Sequence, residues 1–140
     1  MELVIDANNC IAGRLASYVA KALLKGYRVH VINAEKAVVS GKPERVKQIF
    51  FEKVQRGDPY HGPFYPKQPD RIFRRMVRGM LPYKRPNGRK AYKRLRVYIG
   101  VPDGLKGREA QIVKSAQNNL KCRWISLGEL SVHLGAKKRW

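Results

Sequence analysis

The chain opens on a short apolar run, Leu3-Val4-Ile5, broken by the turn formers Asp6-Ala7-Asn8-Asn9. That pattern reads as a strand followed by a turn. From Gly13 the period lengthens. Leu15, Val19 and Leu23 recur every four residues with Ala16, Ala20 and Leu24 beside them, the stripe of an amphipathic helix that Gly26 ends. Arg28-Val29-His30-Val31-Ile32-Asn33 is β-branched and bounded by turn residues, so it reads as a second strand. Strand, helix and strand within about thirty residues make a βαβ unit, whose right-handed crossover sets the two strands parallel.

Pro43 suits the first position of a second helix, which runs to about Gln55 and is stopped by Arg56-Gly57-Asp58-Pro59. Tyr60 to Gln68 holds three aromatics and two prolines without a sustained period, and reads as loop. Pro69 and Asp70 open a third helix that must end before Pro82, because a proline ring disfavours helix at the residue before it. Asn87 is expected to cap a short helix through Leu95, with Arg96-Val97-Tyr98-Ile99 as a third strand. Pro102-Asp103-Gly104 is a turn, Glu109 to about Asn118 is predicted to be helical, and Arg123 to Leu134 suggests an edge strand or hairpin.

Length and composition narrow the class. One hundred and forty residues, 44% of them hydrophobic, suit a single folded domain over residues 1–140. Charge changes the picture more. Thirty Lys and Arg against ten Asp and Glu give a formal net charge of +20, a surplus that a compact fold tolerates best beside a polyanion. No apolar run approaches the length of about 20 residues that spans a bilayer. Nor does the opening MELVIDANNC resemble a secretory signal, so the chain reads as cytosolic. Cys10 and Cys122 stand far apart without CxxC partners and are expected to be small buried hydrophobes.

The surplus is concentrated. Lys67 to Arg96 carries twelve cations against the single acid Asp70, more than half of the net charge. Arg71, Arg74, Arg75 and Arg78 fall on one stripe of the third helix, while Ile72, Phe73, Met76, Val77 and Met80 take the other side and are expected to bury against the sheet. Like charges at this spacing destabilise an isolated helix by about 0.2–0.5 kcal/mol per pair. With no carboxylate among the four arginines, phosphate is the expected counter-ion, and the planar guanidinium fork suits it. Lys84, Arg85, Arg89, Lys90, Lys93 and Arg94 extend the candidate RNA-binding set beyond the helix. Gly88 is expected to permit close backbone approach; Tyr83 is open either to stacking on an unpaired base or to the core, and Tyr92 is assigned to the core.

Catalysis finds little support. Ser40-Gly41-Lys42-Pro43 lacks both the leading glycine and the Ser/Thr of a phosphate-binding loop, and the first βα turn has no glycine fingerprint. His30, His61 and His133 are scattered, against a zinc site. Asp6 and Glu35 lie just past strand ends, where a metal-dependent nuclease could use two carboxylates. Asp6 is more simply a turn former and Glu35 a first-turn acid. A free-standing RNA-binding regulator is the other alternative the sequence leaves open.

Three blocks resemble a known family. Val4-Ile5-Asp6-Ala7 with Ala12-Gly13-Arg14-Leu15-Ala16-Ser17, then Val31-Ile32-Asn33-Ala34-Glu35-Lys36 with Ser40-Gly41-Lys42, and finally Val77-Arg78-Gly79-Met80-Leu81-Pro82 with Gly88-Arg89 and Leu95-Arg96-Val97-Tyr98-Ile99-Gly100 are similar, in order, to the signatures of the ribosomal protein L13 family. Beyond Gly100 the chain departs from the bacterial pattern, and its compact form resembles archaeal members. The resemblance implies a three-layer α/β/α domain with a small, mostly parallel four-stranded sheet. It further implies a non-catalytic cytoplasmic constituent of the large ribosomal subunit with an early part in assembly. Its implied partners are large-subunit rRNA and neighbouring large-subunit ribosomal proteins, with no cofactor, metal, membrane or small-molecule substrate.

Overall fold

A computed structural model describes residues 1–140. Strand β1 (Glu2–Asp6) leads through helix α1 (Ala12–Leu24) to strand β2 (Arg28–Ile32), and the two strands pair in parallel with Glu2 opposite Arg28. The apolar stripe of α1 is fully buried at Leu15, Val19 and Leu23. A 3-10 turn at Ala34–Lys36 precedes a short strand β3 (Val38–Ser40), which the sequence reading did not anticipate. Helices α2 (Pro43–Gln55), α3 (Pro69–Met80) and α4 (Pro86–Lys93) each begin at a proline, whose fixed φ and missing N–H suit the first helical turn. The start of α4 therefore lies at Pro86, one residue before the expected cap Asn87.

Strand β4 (Leu95–Val97) joins β2 in parallel on the side away from β1, giving the order β1-β2-β4. The fold is thus α/β with a small parallel sheet. That sheet has three strands rather than four, because β3 pairs separately, antiparallel, with strand β5 (Trp124–Ser126). Helix α5 (Leu127–His133) follows directly. Of the edge strand or hairpin expected over Arg123 to Leu134, the strand forms at Trp124–Ser126 and the remainder is helical. The cause is visible in the residues: Ser126 Oγ accepts from Glu129 N at 3.2 Å, the N-cap bond of a Ser-x-x-Glu start.

The helix expected over Glu109–Asn118 is reduced to a single 3-10 turn at Lys114–Ala116. Gln111 instead lies along the free edge of β1, donating to Val4 O at 2.7 Å and accepting from Asp6 N at 3.0 Å. An unpaired strand edge competes for exactly such a segment, and the apolar pattern here is too thin to resist. Val113 and Ala116 reach the core, whereas Ile112 is 61% exposed. On one face of the sheet Ile5, Val29, Val31 and Leu95 pack with α1 and α3. The other face carries a smaller cluster of Val4, Ile32 and Leu105, covered by the chain after β4. No helix is long and apolar enough to cross a membrane.

Candidate nucleic-acid interface

Helix α3 presents its two faces as its residue spacing predicts, with one shift. Ile72, Phe73 and Val77 are fully buried, against α1 as well as β4. Met76 is only half-buried and Met80 is exposed, so the buried face is narrower than expected and turned toward Ile72–Phe73. Arg71 is exposed, while Arg74, Arg75 and Arg78 are half-buried. What covers them is aromatic. The Arg78 guanidinium lies 4.2 Å from the Tyr83 ring centre, Arg74 lies 4.4 Å from that of Tyr92, and Arg75 lies 5.7 Å from that of Tyr65. Tyr83 and Tyr92 meet edge to face at 5.5 Å, forming one aromatic ledge under two arginines. Tyr65 rests edge-on against Phe50 of α2, and Lys53 lies within cation–π distance of both rings. Burial pushes the Tyr65 phenol above its ordinary range, opposed by the charge of Arg75.

Tyr83, read as a base-stacking or a core residue, is partly exposed and carries Arg78 over its ring. That has a chemical consequence. A guanidinium lying over a ring engages it without a hydrogen bond, so its terminal N–H groups stay available to an acceptor, although Arg74 Nε is buried without a partner. No carboxylate stands within ion-pair distance of any of the ten candidate residues; the salt bridges of the chain lie elsewhere, as Arg108–Glu2 and Arg123–Glu44 do. Two shallow cavities flank the stripe. One, of about 300 Å³, is bounded by Arg71, Arg74, Arg75 and Arg78 with Phe64, Pro66 and Tyr92. The other, of about 490 Å³, is bounded by Arg75, Arg78, Tyr83, Lys84 and Arg85 with the backbone turn at Gly79–Pro82. Arg75 and Arg78 stand on the ridge between them.

The remaining candidates divide. Lys84, Arg85, Lys90 and Lys93 are exposed. Arg89 is also exposed but is tied to the loop, donating to Tyr83 O at 3.2 Å and to Lys84 O at 3.0 Å. Arg94 donates through Nη2 to Leu23 O at 2.6 Å, closing a carbonyl at the C-terminal end of α1. Gly88 makes its close approach to the chain itself: a Cβ there would stand 1.9 Å from Pro82 O.

Other residues join the surface only in three dimensions. Arg28 on β2 and Arg96 on β4 share a cavity of about 350 Å³ with Lys93, Arg94, His30 and the lone acid Glu2. The signal was the alternation of β2, where Arg28 and His30 face away from Val29 and Val31, but it needed the parallel register to place His30 beside Arg96. The Arg108 hydrogen bond holds the Glu2 carboxyl below its usual range, helped by His30 and Arg28. In the loop before α3, Tyr60 is 89% and Phe64 68% exposed, and Phe64 borders the arginine cavity. These are the aromatics free to stack.

Asp6 and Glu35 are occupied structurally. Asp6 accepts from Asn8 N and Asn33 Nδ2, and Glu35 accepts from Gly100 N at 3.0 Å. No group of three His, Cys, Asp or Glu side chains is close enough to hold a metal ion. Cys10 is buried as expected, whereas Cys122 is exposed because it lies in the irregular stretch before β5.

The chain is a small, strongly basic α/β protein with one concentrated arginine face. It belongs to the ribosomal protein L13 family, whose sequence model matches residues 1–103. It is 52% identical over 136 residues to the large ribosomal subunit protein uL13 of Methanopyrus kandleri, across 94% of this chain and 86% of that protein. Against the protein of the same name from Methanosarcina barkeri it is 49% identical over 137 residues, covering 96% and 98% of the two chains. Against that of Haloarcula marismortui the identity is 42% over 139 residues, covering 99% and 94%. These relatives are archaeal, as the resemblance implied. Membership places the chain among structural ribosomal proteins rather than enzymes.

Proposed function

We propose that this chain is a structural constituent of the large ribosomal subunit in the cytoplasm, held on large-subunit rRNA by the α3–α4 surface. The observation that carries the reading is the set of stripe arginines without a carboxylate, three of them within cation–π distance of tyrosine rings. Such guanidiniums are positioned before the ligand arrives, so little side-chain freedom is lost when phosphate oxygens meet their free edges. Lys84, Arg85, Lys90 and Lys93 extend the field, and Tyr60 and Phe64 offer apolar faces to unpaired bases. Arg89 and Arg94 contribute charge while fixing the loop and the end of α1. The relatives named as large ribosomal subunit proteins support the same placement, with neighbouring subunit proteins as further partners.

Sucrose-gradient sedimentation of cell extract tests it: the protein should travel with large subunits and remain bound through a moderate salt wash. Recovery at the top of salt-free gradients, with subunits intact, would refute the assignment. A surface arranged before binding also suits an early part in assembly. The purified chain should therefore bind protein-free large-subunit rRNA, and a requirement for previously bound proteins would remove that part of the proposal.

A further inference from the structure

The carboxyl ends of β1 and β2 open into a cavity of about 650 Å³ on which the charge of the molecule is reversed. Its walls include the carboxylates of Glu35 and Glu129 and the indoles of Trp124 and Trp140, with Lys36 as the only cation and no arginine. On a chain of net charge +20 this is the place least suited to phosphate. Crevices at the carboxyl ends of parallel strands are where open α/β sheets take ligands. The cavity lies apart from the arginine stripe and shares none of its residues.

We infer that this cavity receives an arginine side chain presented by a neighbouring protein. Three features match a guanidinium. The first is the buried acid: Glu35 is only 6% exposed, and one of its oxygens accepts from Gly100 N. The second oxygen has no hydrogen-bond partner or ion pair within the chain, and Glu35 is one of the residues that line the cavity. A carboxylate so withdrawn from water gains most from a cation that also donates hydrogen bonds. The second feature is aromatic. The ring pairs and cation–π contacts of the chain involve Phe, Tyr and His but neither tryptophan, so neither indole is engaged by a ring or a cation of the chain itself. Trp offers the best face for a cation, and the flat guanidinium stacks where an ammonium cannot.

The third is how the wall is fixed. A Cβ at residue 128 would stand 3.1 Å from Trp140 Nε1 and from Glu35 O, so Gly128 is what lets the indole lie against the first turn of α5 beside the buried acid. Asn33, held by its Nδ2 bond to Asp6, keeps its amide oxygen as a further acceptor. Lys36 is exposed and makes neither an ion pair nor a ring contact, so it competes for the site rather than filling it.

The chain contains two tryptophans and both line this cavity, so tryptophan emission, excited to the red of tyrosine absorption, reports on it. The full chain, in about 0.5 M salt to screen the surrounding charge to a few ångströms, is titrated with a capped Gly-Arg-Gly peptide. A saturable change in emission is expected, with the citrulline version of the peptide binding about five-fold more weakly or worse. Glu129→Gln, on the exposed rim, should weaken the arginine peptide several-fold, and Lys36→Gln should tighten it. Absence of a saturable change overturns the inference, as does equal binding of the citrulline peptide. Tighter binding of adenosine or uridine monophosphate would make this a base pocket, and tighter binding of free arginine a metabolite site; either result also overturns it. Co-sedimentation with subunits is untouched by these outcomes, so the two proposals fail separately.

Discussion

Arg94 reaches across the fold to Leu23, its Nη2 donating to the Leu23 carbonyl at 2.6 Å. The last carbonyls of a helix have no partner within it, and a cation there also meets the negative end of the dipole. The bond ties the end of α1 to the start of β4, two elements seventy-one residues apart. Hydrogen bonds to charged groups contribute about 1.5–3 kcal/mol. Arg94→Leu should therefore lower stability by about that amount, measured by urea unfolding. An unchanged midpoint would mean that water replaces the guanidinium without loss, and that Arg94 serves binding alone.

Met76 and Ile72 separate a half-buried from a fully buried position on the same helix. Ile72→Ala should cost about 2–5 kcal/mol, because the surrounding side chains cannot fully close the cavity. Met76→Ala should cost clearly less, about 1–2 kcal/mol, since part of its side chain is already in water. Equal losses from the two variants in denaturant titrations would place both on the core face.

Gly88 is packed against the Pro82 carbonyl, at a distance that leaves no room for a methyl group. The basic loop between α3 and α4 is closed at that contact, together with the Arg85 N–Pro82 O bond at 2.9 Å. Gly88→Ala must displace the loop or the helix, a cost of about 1–3 kcal/mol or more. Calorimetry should show a lowered Tm. A variant as stable as the parent, binding RNA equally well, would show that the loop relaxes freely.

Much of this was legible in the residues. The βαβ unit, the proline-started helices and the two-faced α3 follow from local periodicity and ring geometry, which act within a few residues. What stayed hidden depends on contacts distant in sequence. Arg74 meets Tyr92 and Arg75 meets Tyr65 only once α4 and the preceding loop have folded over α3. Gln111 prefers the β1 edge to a helix only because that edge exists. Ser126 and Glu129 were different: the N-cap signal was local and present in the residues, within a stretch read as an edge strand or hairpin. Glu35 looked like a first-turn acid, and no local pattern could show that it would be buried facing two tryptophans brought from the far end of the chain.

Cys10 and Cys122 should differ sharply toward an alkylating reagent. Burial, with a contribution from Asp6, pushes the Cys10 thiol up to about 11. The thiolate is the reactive form, so at pH 8 native protein should take up one iodoacetamide rapidly, at exposed Cys122. The second should react only after unfolding. The raised value also sets a sign: the folded state holds this proton more tightly than the unfolded chain. Its contribution to stability is fully present below the ordinary thiol value of 9.0 and is lost as pH rises through about 11. Mass spectrometry locating early label on Cys10 would contradict the burial argument.

Arg74 and Arg78 carry the strongest statement about how binding energy is distributed. If the stripe meets phosphates, each contact releases condensed counter-ions and affinity falls with salt. Changing both residues to Gln preserves helix propensity while removing two such contacts. On a duplex-like surface the slope of log K against log[salt] should become shallower by about 0.9 per lost contact. Both guanidiniums also rest on tyrosines, so the variant should lose about 0.5–1 kcal/mol of stability per ring contact while its far-UV CD stays native. Changing Lys21 and Lys25 to Gln on α1 is the control of equal charge, since no arginine stripe or aromatic ledge accompanies them. That pair should alter the slope less. Equal changes from both pairs would show that diffuse net charge drives binding, and the α3 face would lose its claim to be the site.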